Sequence, residues 1–172
     1  MQLSIDFETY CDVSVVDVGA WKYAEHPSCE ILCMAYAFDN DKVQMWLPSE
    51  PFPAAIFDHI VGGGTIHAWN AQFEIAVWTN ALGCCPPVEQ WRCSMAHAAS
   101  CGFPLSLEKA AIAASAKNKK DAAGKRLLRK FSMPRKPTKN NPSTRTTPAD
   151  DPDDFELLLE YELRSPDCVF GA

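Results

Sequence analysis

A mixed α/β fold with a central sheet is what this chain predicts, on three observations. The first ten residues alternate apolar and polar side chains, as a half-buried strand does. Residues 30–47 read as two strands around the turn Asp39-Asn40-Asp41, an antiparallel hairpin. Beyond residue 50, short apolar runs alternate with stretches of helical spacing, separated by Gly and Pro clusters. That order favours one sheet with helices packed on it. At 172 residues and 47% hydrophobic content, the chain has the size and apolar surface of a single domain with its own core.

Each element has its own warrant. In Met1–Tyr10, Leu3, Ile5 and Phe7 fall on one face and Ser4, Asp6 and Glu8 on the other. A turn region with Gly19 and Pro27 follows, then a strand over Glu30–Phe38 and its return over Lys42–Leu47. Pro51–Val61 reads as a short helix closed by Gly62-Gly63-Gly64, and Thr65–Trp69 as a short strand. Asn70, a good N-cap type, precedes a helix over Ala71–Leu82, which Pro86-Pro87 follows. Helical patterns cover Met95–Cys101, Ser106–Ser115 and Asp121–Lys130, with Ser106 as a helix start. From Ser132 to Asp154, five prolines among Lys, Asn, Ser and Thr predict a basic, mobile loop. Phe155–Arg164 is the last helix, ended by Pro166.

Composition excludes several classes. The apolar share is too high for a disordered chain. Runs such as Ala35-Tyr36-Ala37-Phe38 are far short of the roughly 20 residues that span a bilayer. Asp6 and Glu8 sit where a signal peptide has its apolar core, so a cytoplasmic protein is expected. The eight cysteines show no CxxC pair and no matching histidine pair, and read as reduced thiols. The net charge of −6 is unevenly spread: residues 117–145 hold eleven Lys/Arg against Asp121 alone. A concentrated basic segment on an acidic body suits a protein that meets a polyanion in one place and cations in another. A solvated helix face is the plainer account of the same run.

Asp6 and Glu8 are the sharpest feature. Two carboxylates two apart on one strand point the same way, and burying them costs several kcal/mol per ion unless cations balance them. Hard divalent ions such as Mg²⁺ take carboxylate oxygens, and paired ions drive in-line attack at phosphate. The alternative is a strand end where both side chains reach water.

The segment Ile5-Asp6-Phe7-Glu8-Thr9 resembles the first motif of the DEDD-type 3′–5′ exonucleases. Asn70-Ala71-Gln72-Phe73-Glu74 resembles the second, with Glu74 where the family often has Asp. The stretches from Ser106-Leu107-Glu108-Lys109, through Lys119-Lys120-Asp121 and Gly124-Lys125-Arg126, to Met133-Pro134-Arg135-Lys136-Pro137 are similar to the exonuclease domain at the N-terminus of phage family A DNA polymerases. The likeness runs over residues 1–164.

It implies an RNase H-like fold, two Mg²⁺ or Mn²⁺ ions, and DNA hydrolysis from the 3′ end to nucleoside monophosphates. Asp6 would bridge both ions, Glu8 would bind the ion that activates water, and Glu74 would support the second. The basic segment, with Lys119, Lys120, Lys125 and Arg126, would hold the DNA backbone beside Asn70 and Phe73. Trp69, Trp78, Phe103 or Phe131 would stack on a terminal base, although core packing suits any one of them as well.

The third motif departs from the family. Tyr161 would orient the attacking water, but Ser165 stands four positions on, where the family has Asp. Asp167, six after Tyr161, lies about 120° away on a helix unless Pro166 swings it back, and it is the expected fourth ligand. Glu162, about 100° from Tyr161, fits less well. A chain ending at Ala172 is expected to be free-standing, and a phage-encoded one would work in the bacterial cytoplasm. The alternative function is a catalytically impaired module that grips DNA or a replication partner. An RNA-directed nuclease is less favoured.

Overall fold

The computed structural model describes residues 1–114, 122–139 and 142–164. Lys119, Lys120, Ser165, Pro166 and Asp167 lie outside them, as do the expectations placed on those positions. Five strands, β1 (Gln2–Tyr10), β2 (Glu30–Phe38), β3 (Gln44–Trp46), β4 (Thr65–Ala68) and β5 (Trp91–Cys93), form one sheet in the order β3-β2-β1-β4-β5. The β1–β2 and β2–β3 pairs are antiparallel, while β4 runs parallel to β1 and β5 parallel to β4. β1 is therefore the central strand, paired along both edges.

Eight α-helices accompany the sheet among the described residues: α1 (Val15–Val18), α2 (Ala20–Ala24), α3 (Ala54–Val61), α4 (Ala71–Ala81), α5 (Ser94–Ser100), α6 (Leu107–Ala113), α7 (Ala122–Ser132) and α8 (Pro152–Glu162). The α/β expectation holds, with three local corrections. Residues 15–24, read as a turn, form two short helices divided by Gly19 at φ +79°. β5 was not foreseen, because three residues after a double proline are too few to show alternation. α7 runs on through Ser132 and α8 starts at Pro152, so the Pro-rich connection is shorter than its composition implied. Pro152 sits in the first turn, where its missing N–H costs nothing, and Asp153 and Asp154 favour the same end electrostatically.

The sheet carries a core on each face. Leu3, Ile5 and Phe7 of β1 pack with Met34, Tyr36, Ile66, Trp91 and the buried side of α4, where Phe7 meets Trp78 edge-on at 5.7 Å. On the other face Tyr10 and Leu32 pack with Leu127 and Phe131 of α7 and Leu158 of α8. Strict alternation would put Leu32 on the same side as Met34. A register irregularity between Glu8 and Thr9 changes that parity: Glu8 pairs with Cys33, but Thr9 pairs with Ile31. Leu32 thereby joins the α7–α8 core.

The connection between α7 and α8 is tied at its far end. Arg145 donates to Glu30 at 2.6 Å and lies 4.2 Å over the Tyr10 ring. The Arg135 amide donates to the Thr144 carbonyl at 2.7 Å.

Candidate metal centre and active site

Asp6 and Glu8 project from the middle of β1, on the face opposite Leu3, Ile5 and Phe7. Their cross-strand partners are Ala35 and Cys33, two small residues that leave space above the strand. The large side chains resume at Tyr10 and Leu32. The result is an open cleft of about 570 Å³ whose lining includes Asp6, Glu8, Phe73, Leu128, Met133 and the 12–17 segment.

The third carboxylate arrives from the far end of the chain. Asp6, Glu8 and Glu162 each bring an oxygen within 4.8 Å of the others. Glu162 is 1% exposed, and with Leu158 it makes the buried side of α8. The two are four apart and share a helix face. Sequence reasoning placed Glu162 by its angle from Tyr161. The informative reference was the stripe Phe155, Leu158, Glu162, where a glutamate takes a position that periodicity assigns to the core.

Cys33 registers the charge of this cluster. Burial pushes its thiol pKa well above the ordinary value, and Glu8, Glu162 and Asp6 add to the shift. It remains a protonated thiol at neutral pH.

The other expected residues fall in different places. Glu74 is buried at 4% exposure in the first turn of α4 and stands outside the close trio. Asn70 occupies the N-cap position, but its side chain makes no capping bond, and it is exposed. Phe73 lines the cleft. The Tyr161 ring packs on Gly124 of α7, so closely that a Cβ there would fall inside the ring's van der Waals envelope. Lys125 pairs with Glu108 at 2.5 Å, Lys130 binds Asp151 and Asp154, and Arg126 is exposed. Trp78 and Phe131 are 2% and 0% exposed core residues and are not available for stacking, which corrects that expectation for these two. Among the described residues, no helix is long and apolar enough to cross a membrane.

Fold and site together define a mixed α/β domain whose central strand presents Asp6 and Glu8 to an open cleft, with Glu162 of α8 close beside them. Over 167 aligned residues the chain is 37% identical to the DNA polymerase of Bacillus phage SP02, covering 92% of this chain. It spans about a quarter of that curated relative's length, 25%. No protein-family profile matches the chain.

Proposed function

We propose that this chain is a divalent-metal-dependent 3′–5′ DNA exonuclease domain of RNase H-like architecture. The observation that carries the reading is the meeting of Glu162 with Asp6 and Glu8, which line an open cleft, from positions up to 156 residues apart. The strand order, antiparallel across β3-β2-β1 and parallel across β1-β4-β5, supports the fold assignment. The likeness to a phage DNA polymerase supports DNA as substrate and replication as context.

The donor set fits the ions. It is oxygen-only, which suits Mg²⁺ or Mn²⁺ over thiophilic metals. Three carboxylates this close repel one another unless a cation or a shared proton intervenes. Bound divalent ions supply Lewis-acid activation of water and neutralise charge that builds on the phosphate. In this reading Asp6, Glu8 and Glu162 hold the ions, and Glu74 supports them from α4. Glu162 takes the role that the family pattern gives to an Asp three positions later, since i and i+3 share a helix face. Tyr161, buttressed on Gly124, aligns the attacking water. Phe73 and the apolar rim of the cleft exclude bulk water around the terminal nucleotide.

Single strands labelled at either end and incubated with Mg²⁺ or Mn²⁺ test the proposal. Stepwise shortening from the 3′ end, abolished by EDTA and by Asp6→Asn, is expected. Intact strands, under conditions where the protein binds them, would leave the alternative of a DNA-gripping module.

A further inference from the structure

Two of the cysteines face each other just past the end of the β1–β2 ladder. The last ladder pair is Tyr10 with Glu30, and the same antiparallel register sets Cys11 opposite Cys29 and Asp12 opposite Ser28. Contacts beyond the ladder keep that register. The Asp12 amide donates to the Ser28 hydroxyl at 2.9 Å, and the Cys11 sulfur lies 3.5 Å from the same oxygen. Side-chain parity agrees. Tyr10 and Glu30 meet Arg145 on one face of the sheet. Thr9 pairs with Ile31, which packs on the α4 core, so Cys11 and Cys29 point to that second face. There the two thiols share a hydrogen bond. Cys33 pairs with Glu8 and points to the other face, so it does not compete for either.

The separation suits a covalent bond. Strand residues directly opposite each other lie about 4.5–5.5 Å apart at Cα, inside the roughly 4.4–6.8 Å that disulfides span. Access is unequal. Cys11 is 1% exposed and donates to the Tyr23 carbonyl at 3.7 Å, whereas Cys29 is half-buried and meets solvent. Burial, and then the charge and hydrogen bond of Cys11, push the Cys29 thiol up to about 12. The attacking thiolate is therefore scarce at neutral pH, and any exchange at this site is slow.

The chain between the two cysteines is a wall of the acidic cleft. Residues 12–17 and Tyr23 line that cleft. Yet α1 is four residues long with no buried side chain, and Val16 is 89% exposed. The wall is held at its two ends and through Tyr23, whose hydroxyl shares a hydrogen bond with Thr9 at 2.9 Å.

We propose that Cys11 and Cys29 form a thiol-modification site, which closes to a disulfide and locks the 12–28 wall of the cleft onto the end of β2. The oxidant is a small disulfide such as oxidised glutathione. The Cys29 thiolate, its proton lost to solvent, attacks one sulfur of the small disulfide and expels the other as a thiolate. The Cys11 thiol then loses its proton and attacks the Cys29 sulfur of the mixed disulfide, expelling the second small thiolate. Two protein thiols are oxidised, one small disulfide is reduced to two thiols, and the two released protons are taken up by these. The site needs only the β1–β2 register and does not rest on the nuclease reading.

The test equilibrates the full chain overnight with graded mixtures of reduced and oxidised glutathione in mildly alkaline buffer, followed by acid quenching and peptide mapping. The peptides holding Cys11 and Cys29 are expected to be joined, and dithiothreitol to separate them. Tm of the joined form should rise by about 5 °C. Amide exchange over residues 12–28 should slow at least about fivefold. Cys11→Ala is expected to stop at a glutathione adduct on Cys29, and Cys29→Ser to leave buried Cys11 unmodified. Cys84→Ser, at an exposed thiol outside the pair, should leave the joining unchanged. Free thiols at both positions in oxidised glutathione alone, or a different cysteine pair joined in their place, overturns the site. A joined pair with unaltered exchange over 12–28 overturns the lock.

Discussion

Glu162 stands where helix spacing calls for a leucine, and its neighbours say what that exchange does. Leu158, one turn earlier, is fully buried in the apolar core between α7 and α8. At 162 the same stripe ends in a carboxylate that faces Asp6 and Glu8 instead of solvent. A residue kept for stability would not add a third negative charge to two others. Stability and activity should therefore move in opposite directions on Glu162→Gln. Without metal, relief of like-charge repulsion is expected to raise Tm by about 3 °C, equivalent to about 1 kcal/mol in a domain of this size. With Mg²⁺, the rate of 3′-end hydrolysis is expected to fall at least about a hundredfold, the scale of losing one electrostatic stabiliser in an active site. Asp167→Asn should stay near the parent rate in the same assay. The reverse ranking of the two variants would return the fourth ligand to Asp167.

Helices α7 and α8 matter because their seam sets where Glu162 lies. The Tyr161 ring fills the space that a side chain at Gly124 would need, and Phe131 and Phe155 meet edge-on at 5.3 Å further along. A glycine inside a helix ordinarily costs about 1 kcal/mol relative to alanine, so Gly124→Ala should stabilise an unconstrained helix. Here the added methyl displaces Tyr161, and a net loss of about 1–3 kcal/mol is expected in urea denaturation. Under the proposed function, 3′-end hydrolysis should slow as well, because Tyr161 and Glu162 are adjacent. The seam was hidden from the sequence: Gly124 sat in a basic helical run, and nothing in that run names a partner 37 residues on. By contrast Asp6 and Glu8 were legible, since strand alternation depends only on local backbone geometry. Arg145 was also illegible, being one more cation in a Pro-rich stretch, yet it joins that stretch to β1 and β2. The Arg145 guanidinium holds the Glu30 carboxyl below its ordinary value of 4.5. A depressed folded pKa contributes stability above the unfolded pKa and loses it as pH falls through the folded one. Arg145→Gln should thus cost about 1 kcal/mol near neutrality, from an exposed pair plus a cation–π contact. The gap to the parent should narrow in unfolding curves taken below pH 4.5.

Over the whole molecule, the carboxylate trio joins the first strand to the last described helix, so the proposed metal binding would have a global reach. Basic residues do part of the same work elsewhere. Lys125 reaches α6, Lys130 reaches the start of α8, and Arg145 reaches β2, so much of the described basic segment is spent on holding acidic elements together. That leaves exposed Arg126 and Arg129 as the cations of α7 most open to a polyanion. Under the proposed function the trio, Asp6, Glu8 and Glu162, would hold divalent cations, and a ligand that binds only the folded arrangement stabilises the fold by mass action. Mn²⁺ at a hundred times its Kd is expected to add about 2.7 kcal/mol. The increment should appear as a rise in Tm of several degrees, reversed by EDTA and absent from Asp6→Asn. Because ions held by Asp6, Glu8 and Glu162 would tie α8 to β1, amide exchange in Mn²⁺ should slow in α8 as much as in the 12–17 segment beside the cleft. If Mn²⁺ left the Tm and the α8 amides of the parent protein unchanged, the trio would be an acidic cluster and not a cation site.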